Sequence, residues 1–153
     1  MPPRAACARR RRGRKRCVIG EAQGESVESD STQIRWDAAS RIASVRYTPG
    51  VSLTGPDGPF LVDALTNWIG VTGEAFAVLA DARGLRGTDA AYRAASGNFF
   101  KRHRATAHIA LINVGPVIHV VVEMFRLGTG IQLKTFADET AACGWLRSKG
   151  IRA

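Results

Sequence analysis

The chain has 153 residues, enough for one domain with a substantial core. Its 45% hydrophobic and 23% charged residues are those of an ordinary soluble globular protein, and no apolar run approaches the ~18 residues of a membrane-spanning helix. The net charge of +9 is concentrated at one end: Arg4, Arg9, Arg10, Arg11, Arg12, Arg14, Lys15 and Arg16 are eight of the 22 basic residues, so the charge describes a tail and does not make the folded part a nucleic-acid binder.

Residues 1–32 read as a disordered Arg-rich tail and polar linker, and residues 33–150 as a single α/β domain. Blocks of like charge repel and cannot bury enough apolar surface to fold. The alternative is a basic arm for anionic nucleic acid or lipid, whose binding would depend on the tail. Cys17-Val18-Ile19 is too short for the apolar region of an export signal. Cys7, Cys17 and Cys143 show no CxxC or CxxH spacing, so neither a zinc site nor a disulfide framework is supported. Reduced thiols and a cytoplasmic location are expected.

From Gly20 to Gln33 the chain is polar. Order is expected to begin at Ile34-Arg35-Trp36, and the alternating run Ile42–Tyr47 completes a β-hairpin about Asp37–Ser40. Gly55-Pro56-Asp57-Gly58-Pro59 opens a helix. Phe60, Leu61, Ala64, Leu65 and Trp68 share one of its faces, and Gly70 and Gly73 end it. Phe76–Ala80 lacks alternation and reads as a buried strand. It leads through Asp81, Gly84 and Leu85 to a second helix, capped by Thr88 or Asp89, with Tyr92, Ala95 and Phe99 on one face. Lys101, Arg102 and Arg104 fall near its carboxyl end, where the helix dipole favours cations.

Ala107–Ile112 is a second buried strand. The next segment is ambiguous, because Val117, Ile118, Val120, Val121 and Val122 are β-branched. Gly115-Pro116 before it and Gly128 after it favour a helix, Val117 to Leu127. Ile131–Phe136 is a strand, and Asp138 caps a last helix bearing Ala142, Trp145 and Leu146. The order β-β-α-β-α-β-α-β-α implies a mixed, mostly parallel sheet of about five strands packed with about four helices.

Loops at the carboxyl ends of such strands carry the binding chemistry of open α/β sheets. The loop after Phe76–Ala80 holds no nucleophile–base pair, no metal cluster and no phosphate cradle. Gly84-x-x-Gly87 lacks the lysine and hydroxyl of a P-loop and the spacing of a dinucleotide fingerprint. His108 has no carboxylate beside it in its strand. His119, Glu123 and Arg126 share a helix stripe, which reads as a solvated face with weak ion pairs. No catalytic residue, cofactor site or metal site is assigned.

With this element order, the chain resembles the STAS family, whose founding members are bacterial anti-sigma-factor antagonists. It is similar in particular to bacterial STAS-like proteins ending in F-x-D-E-x-x-A-x-x-W-L, here Phe136, Asp138, Glu139, Ala142, Trp145 and Leu146. In phosphoregulated members a strand ending in Asp leads to an Asp-Ser-Ser-Gly turn whose second serine accepts phosphate. This chain matches at Asp81, Gly84, Leu85 and Asp89, and then carries Ala90, Ala91 and Tyr92. The resemblance implies a non-catalytic regulatory module that binds another protein through Asp81, Arg83, Gly84, Arg86, Thr88 and Asp89, without the serine switch.

Two further expectations concern apolar surface. Similar folds occur in lipid-carrier domains, so a carrier of a lipid or other small apolar ligand is the alternative, with Phe99, Phe100, Val121, Met124 and Phe125 as candidate lining. On a helical wheel Val117, Ile118, Val121, Val122 and Phe125 suffice to cover the sheet. Val120, Met124 and Leu127 then form a second strip, covered either by neighbouring elements or by a second copy in a homodimer.

Overall fold

In the computed structural model, residues 24–153 are described. The expectations for the Arg-rich tail, for Cys7 and for Cys17 lie outside the described residues.

The stretch read as linker contains a strand, β1 (Glu25–Glu28), paired antiparallel with β2 (Thr32–Asp37). The expected domain start at residue 33 therefore falls inside a hairpin. Polarity misleads here because β1 is an edge strand, where charged side chains protect the open side from pairing. Glu25 also accepts a hydrogen bond from the Trp68 indole at 2.7 Å. The expected hairpin is present: β2 runs antiparallel to β3 (Ile42–Tyr47), with Ile34 opposite Val45 and Trp36 opposite Ala43.

Helix α1 (Asp57–Ile69) follows a short strand β4 (Ser52–Leu53), and β5 (Phe76–Asp81) then enters the sheet parallel to β3. Beyond β5 come β6 (Gly87–Thr88), α2 (Ala90–Arg102) and β7 (Ala107–Ile112), then α3 (Pro116–Thr129), β8 (Gln132–Phe136) and α4 (Glu139–Ser148). The main sheet has six strands in the order β1-β2-β3-β5-β7-β8. From β3 onward its pairs are parallel. The ambiguous β-branched segment is a helix, opened by Pro116 in its first turn and closed by left-handed Gly130. Asp138 caps α4 by accepting from the Ala141 amide at 2.8 Å.

The sheet has two differently covered faces. One packs against α1, α2 and α3 through Val45, Leu65, Phe76, Val78, Phe99 and Ile109. The other packs Ile42, Leu79 and Ala110 against Ala142, Cys143 and Leu146 of α4. Continuous burial of β5, from Phe76 to Ala80, follows from this double cover. Cys143 is disulfide-bonded, which corrects the expectation of reduced thiols at that residue.

Helix α3 stands apart from this pattern. It packs on α2 and joins the core of that face through few side chains. Of its large apolar side chains only Ile118 and Val122 are buried. Val117, expected to face the sheet, is instead 69% exposed, a correction in which its neighbour Ile118, 4% exposed, makes the first turn's contact with the core.

Candidate functional site

The loop from Asp81 to Asp89 is held in one shape by four sets of contacts. Gly84 takes a left-handed backbone (φ +76°), and a Cβ there would sit 2.9 Å from Pro49 Cα, so only glycine lets the two turns touch. The Gly50 amide donates to the Gly84 carbonyl at 2.7 Å, and the Arg86 amide to the Val51 carbonyl at 2.8 Å. Strands β4 and β6 then pair in parallel, Ser52 with Gly87 and Leu53 with Thr88. Finally Asp89 caps α2, its Oδ1 accepting from the Tyr92 amide at 2.7 Å, while Oδ2 accepts from the Gly55 amide at 3.0 Å.

Most of the expected loop residues are therefore structural. Asp81 Oδ1 accepts from the Arg83 amide at 3.0 Å and from Asn113 Nδ2 at 2.9 Å, which ties β5 to β7. Thr88 sits in β6 and is not the cap; Arg93 donates to its carbonyl and, at 3.2 Å, to its hydroxyl. Arg83 and Arg86 are exposed, so they are the side chains that the locked loop presents to solvent. Ala90 and Ala91 are exposed in the first turn of α2 and offer no hydroxyl.

The loop separates two depressions. On one side, Arg46, Asp81, Arg83, Asn113, Asp138 and Glu139 line a polar cleft over the carboxyl ends of the strands. On the other, beneath α2 and α3, is an apolar cavity of about 100 Å³. Its floor is the sheet (Val45, Val78, Ala80, Ile109, Leu133), and its roof includes Phe100, Val121 and Phe125. Phe100, Val121 and Phe125 are three of the five side chains expected to line a ligand pocket. The other two are corrected: Phe99 packs against Phe76 and His103 in the core, and Met124 is exposed.

The polar atoms of the cavity come from Tyr47, Thr88, Tyr92, Arg93 and Ser96. Burial pushes the Tyr47 phenol up to about 12, opposed by the hydrogen bond with Tyr92. Burial also raises Tyr92, with the neighbouring Tyr47 and Asp57 adding to the shift. Both phenols therefore stay protonated at neutral pH, with one proton of the pair used in the bond between them. Sequence reasoning missed this pair, because the residues lie far apart in the chain and only the α/β crossover brings them together. Among the described residues, no group of three or more His, Cys, Asp or Glu comes together as a metal site.

On α3, Val120 is 59% exposed, Met124 69% and Leu127 74%, so neighbouring elements do not cover the strip. The stripe beside it is an ion pair, Arg126 to Glu123 at 2.8 Å, with His119 exposed.

No family model and no curated protein matches this sequence. Solved structures do. A protein of the DUF3478 family from Shewanella loihica PV-4, with a SpoIIAA-like fold, matches with a TM-score of 0.58 at 17% identity, over 80% of this chain and 99% of that one. The chain has a SpoIIAA-like fold. A candidate anti-sigma factor antagonist from Thermotoga maritima is also similar, at 11% identity and a TM-score of 0.49, over 68% of this chain and 87% of that one. The expected STAS-like, mostly parallel architecture is thus present as a fold, with a six-stranded main sheet where about five strands were expected. Among the described residues, no helix is long and apolar enough to cross a membrane.

Proposed function

We propose that this SpoIIAA-like domain is a non-catalytic protein-binding module whose partner-facing surface is the 83–89 loop with the start of α2. The observation that carries this reading is the shape of that loop. It is fixed by β4–β6 pairing and by Asp89, yet it leaves Arg83 and Arg86 outward. A preorganised loop loses little conformational entropy on binding, and exposed arginines are favoured contact residues. The serine switch is absent from this reading, since alanines stand at both positions where the resemblance places serine.

The test is affinity capture from the source cell with wild type, Arg83→Glu, Arg86→Glu and, as a control on a different part of the surface, Arg152→Glu. The loop variants should lose a partner that wild type and the control retain. Equal recovery by all four would remove the loop as the interface.

The cavity favours a second reading, the binding of a small apolar ligand. A concave, mostly apolar pocket with a few convergent polar groups has the form of a ligand site. The exposed Val120, Met124 and Leu127 strip supports a further proposal, a contact face for a second copy of the chain.

A further inference from the structure

We propose that the cavity under α3 binds a short aliphatic carboxylate, its tail among the apolar side chains and its head at Tyr47, Tyr92 and Arg93. The proposal rests on the small-ligand reading of the cavity and gives that ligand a chemistry.

Size comes first. An apolar cavity of about 150 Å³ takes up benzene. A volume of about 100 Å³ therefore admits about four carbons of a tail, with the rest of the chain and the head left at the opening. Position follows from burial. Val45, Val78, Ala80 and Ile109 are buried, whereas Tyr47, Thr88 and Tyr92 are partly exposed and Arg93 is exposed. The Arg93 cation thus sits on the solvent side of the cavity and the sheet side chains at its floor.

Head-group chemistry follows from the hydrogen-bond inventory. The Ser96 hydroxyl is already spent on the Tyr92 carbonyl at 2.7 Å. Arg93 is held in place by one nitrogen, Nη1, on Thr88, which leaves its remaining N–H groups directed to no acceptor among the described residues. Tyr47 and Tyr92 hydrogen-bond to each other, so one phenol proton of the pair is spent and the other is left to donate. The mouth therefore offers one phenol proton and the Arg93 cation, with the Asp57 charge opposing on the Tyr92 side, and it is the free N–H groups of Arg93 that select an anionic acceptor. Filling the void would bring Val121 and Phe125, now half-buried, into contact with apolar atoms.

The test is calorimetric titration of the full chain with hexanoate, hexan-1-ol and acetate, with amide NMR to locate binding. Hexanoate should bind one to one, roughly tenfold tighter than hexan-1-ol, since a hydrogen bond to a charged group is worth about that factor. Acetate, which has no tail, should bind far more weakly. Thr88, Tyr92 and Val121 amides should shift. Arg93→Gln should bring hexanoate down to the affinity of hexan-1-ol, and Val121→Trp, at the half-buried rim, should block both. Binding of hexan-1-ol with no advantage for hexanoate would overturn the carboxylate assignment while leaving the cavity a ligand site. Failure of both to bind would overturn the small-ligand reading with it. Neither outcome bears on the loop as a protein interface.

Discussion

Removing the Asp89 carboxylate should cost about 2 kcal/mol of stability. The figure is built from two contacts. Loss of the cap on the Tyr92 amide at 2.7 Å costs about 1 kcal/mol in typical helices. Loss of the bond from the Gly55 amide at 3.0 Å adds about 1 kcal/mol, taken at the low end for a charged acceptor because the site is exposed. No other acidic residue occupies the first turn of α2, so nothing replaces the favourable charge at the positive end of the helix dipole. For a domain of this size the loss corresponds to roughly 7 °C in Tm. The assay is urea unfolding of wild type, Asp89→Ala and Asp89→Asn by circular dichroism. Asparagine, a good capping residue, should recover about half of the loss. Hydrogen exchange should quicken at Gly55 and Tyr92 before it does in β5. If Asp89→Ala unfolds within about 0.5 kcal/mol of wild type, the range of an ordinary surface change, the loop is not held by this carboxylate.

Two further outcomes are expected. If α3 pairs with its copy, burial of Val120, Met124 and Leu127 would contribute about 1.5–3 kcal/mol per side chain before association costs; sedimentation should show a dimer that Met124→Glu converts to a folded monomer, and a wild-type chain that stays monomeric at high concentration sinks the pairing. Stability should also fall with acidification. His108, with Nδ1 buried and without a hydrogen-bond partner, is held below the usual histidine range chiefly by burial, and His103 by burial and the charge of Arg102. A folded state that resists protonation is at full stability above the ordinary value of ~6.5 and loses it as pH drops below that point, because the unfolded chain takes up the protons. Urea midpoints should decline from pH 7.5 to pH 5, and His108→Phe should flatten the decline; an unchanged slope in that variant would exclude His108 as a source.

What the sequence determined by itself is whatever a short window of residues decides. Phe76–Ala80 and Ala107–Ile112 declare buried strands because a sheet covered on both faces removes the need for alternation. Asp89 and Asp138 declare helix starts because a cap acts within three residues. Gly115-Pro116 and Gly128 outweighed a β-branched run, since a helix needs only a start, a stop and enough length, although the helix runs on through Gly128 and stops at Gly130. Tertiary structure decided the rest, at sites where the deciding partner lies far along the chain. β1 is too polar to announce itself and exists because β2 offers its edge. β4 and β6 are two residues each and form only because Gly84 lets the loops meet. Whether Val120, Met124 and Leu127 are covered cannot be read from a helical wheel, which gives directions on one helix but no neighbours. The cavity, and the meeting of Tyr47, Tyr92 and Arg93 beside it, depend on how the sheet, α2 and α3 come together.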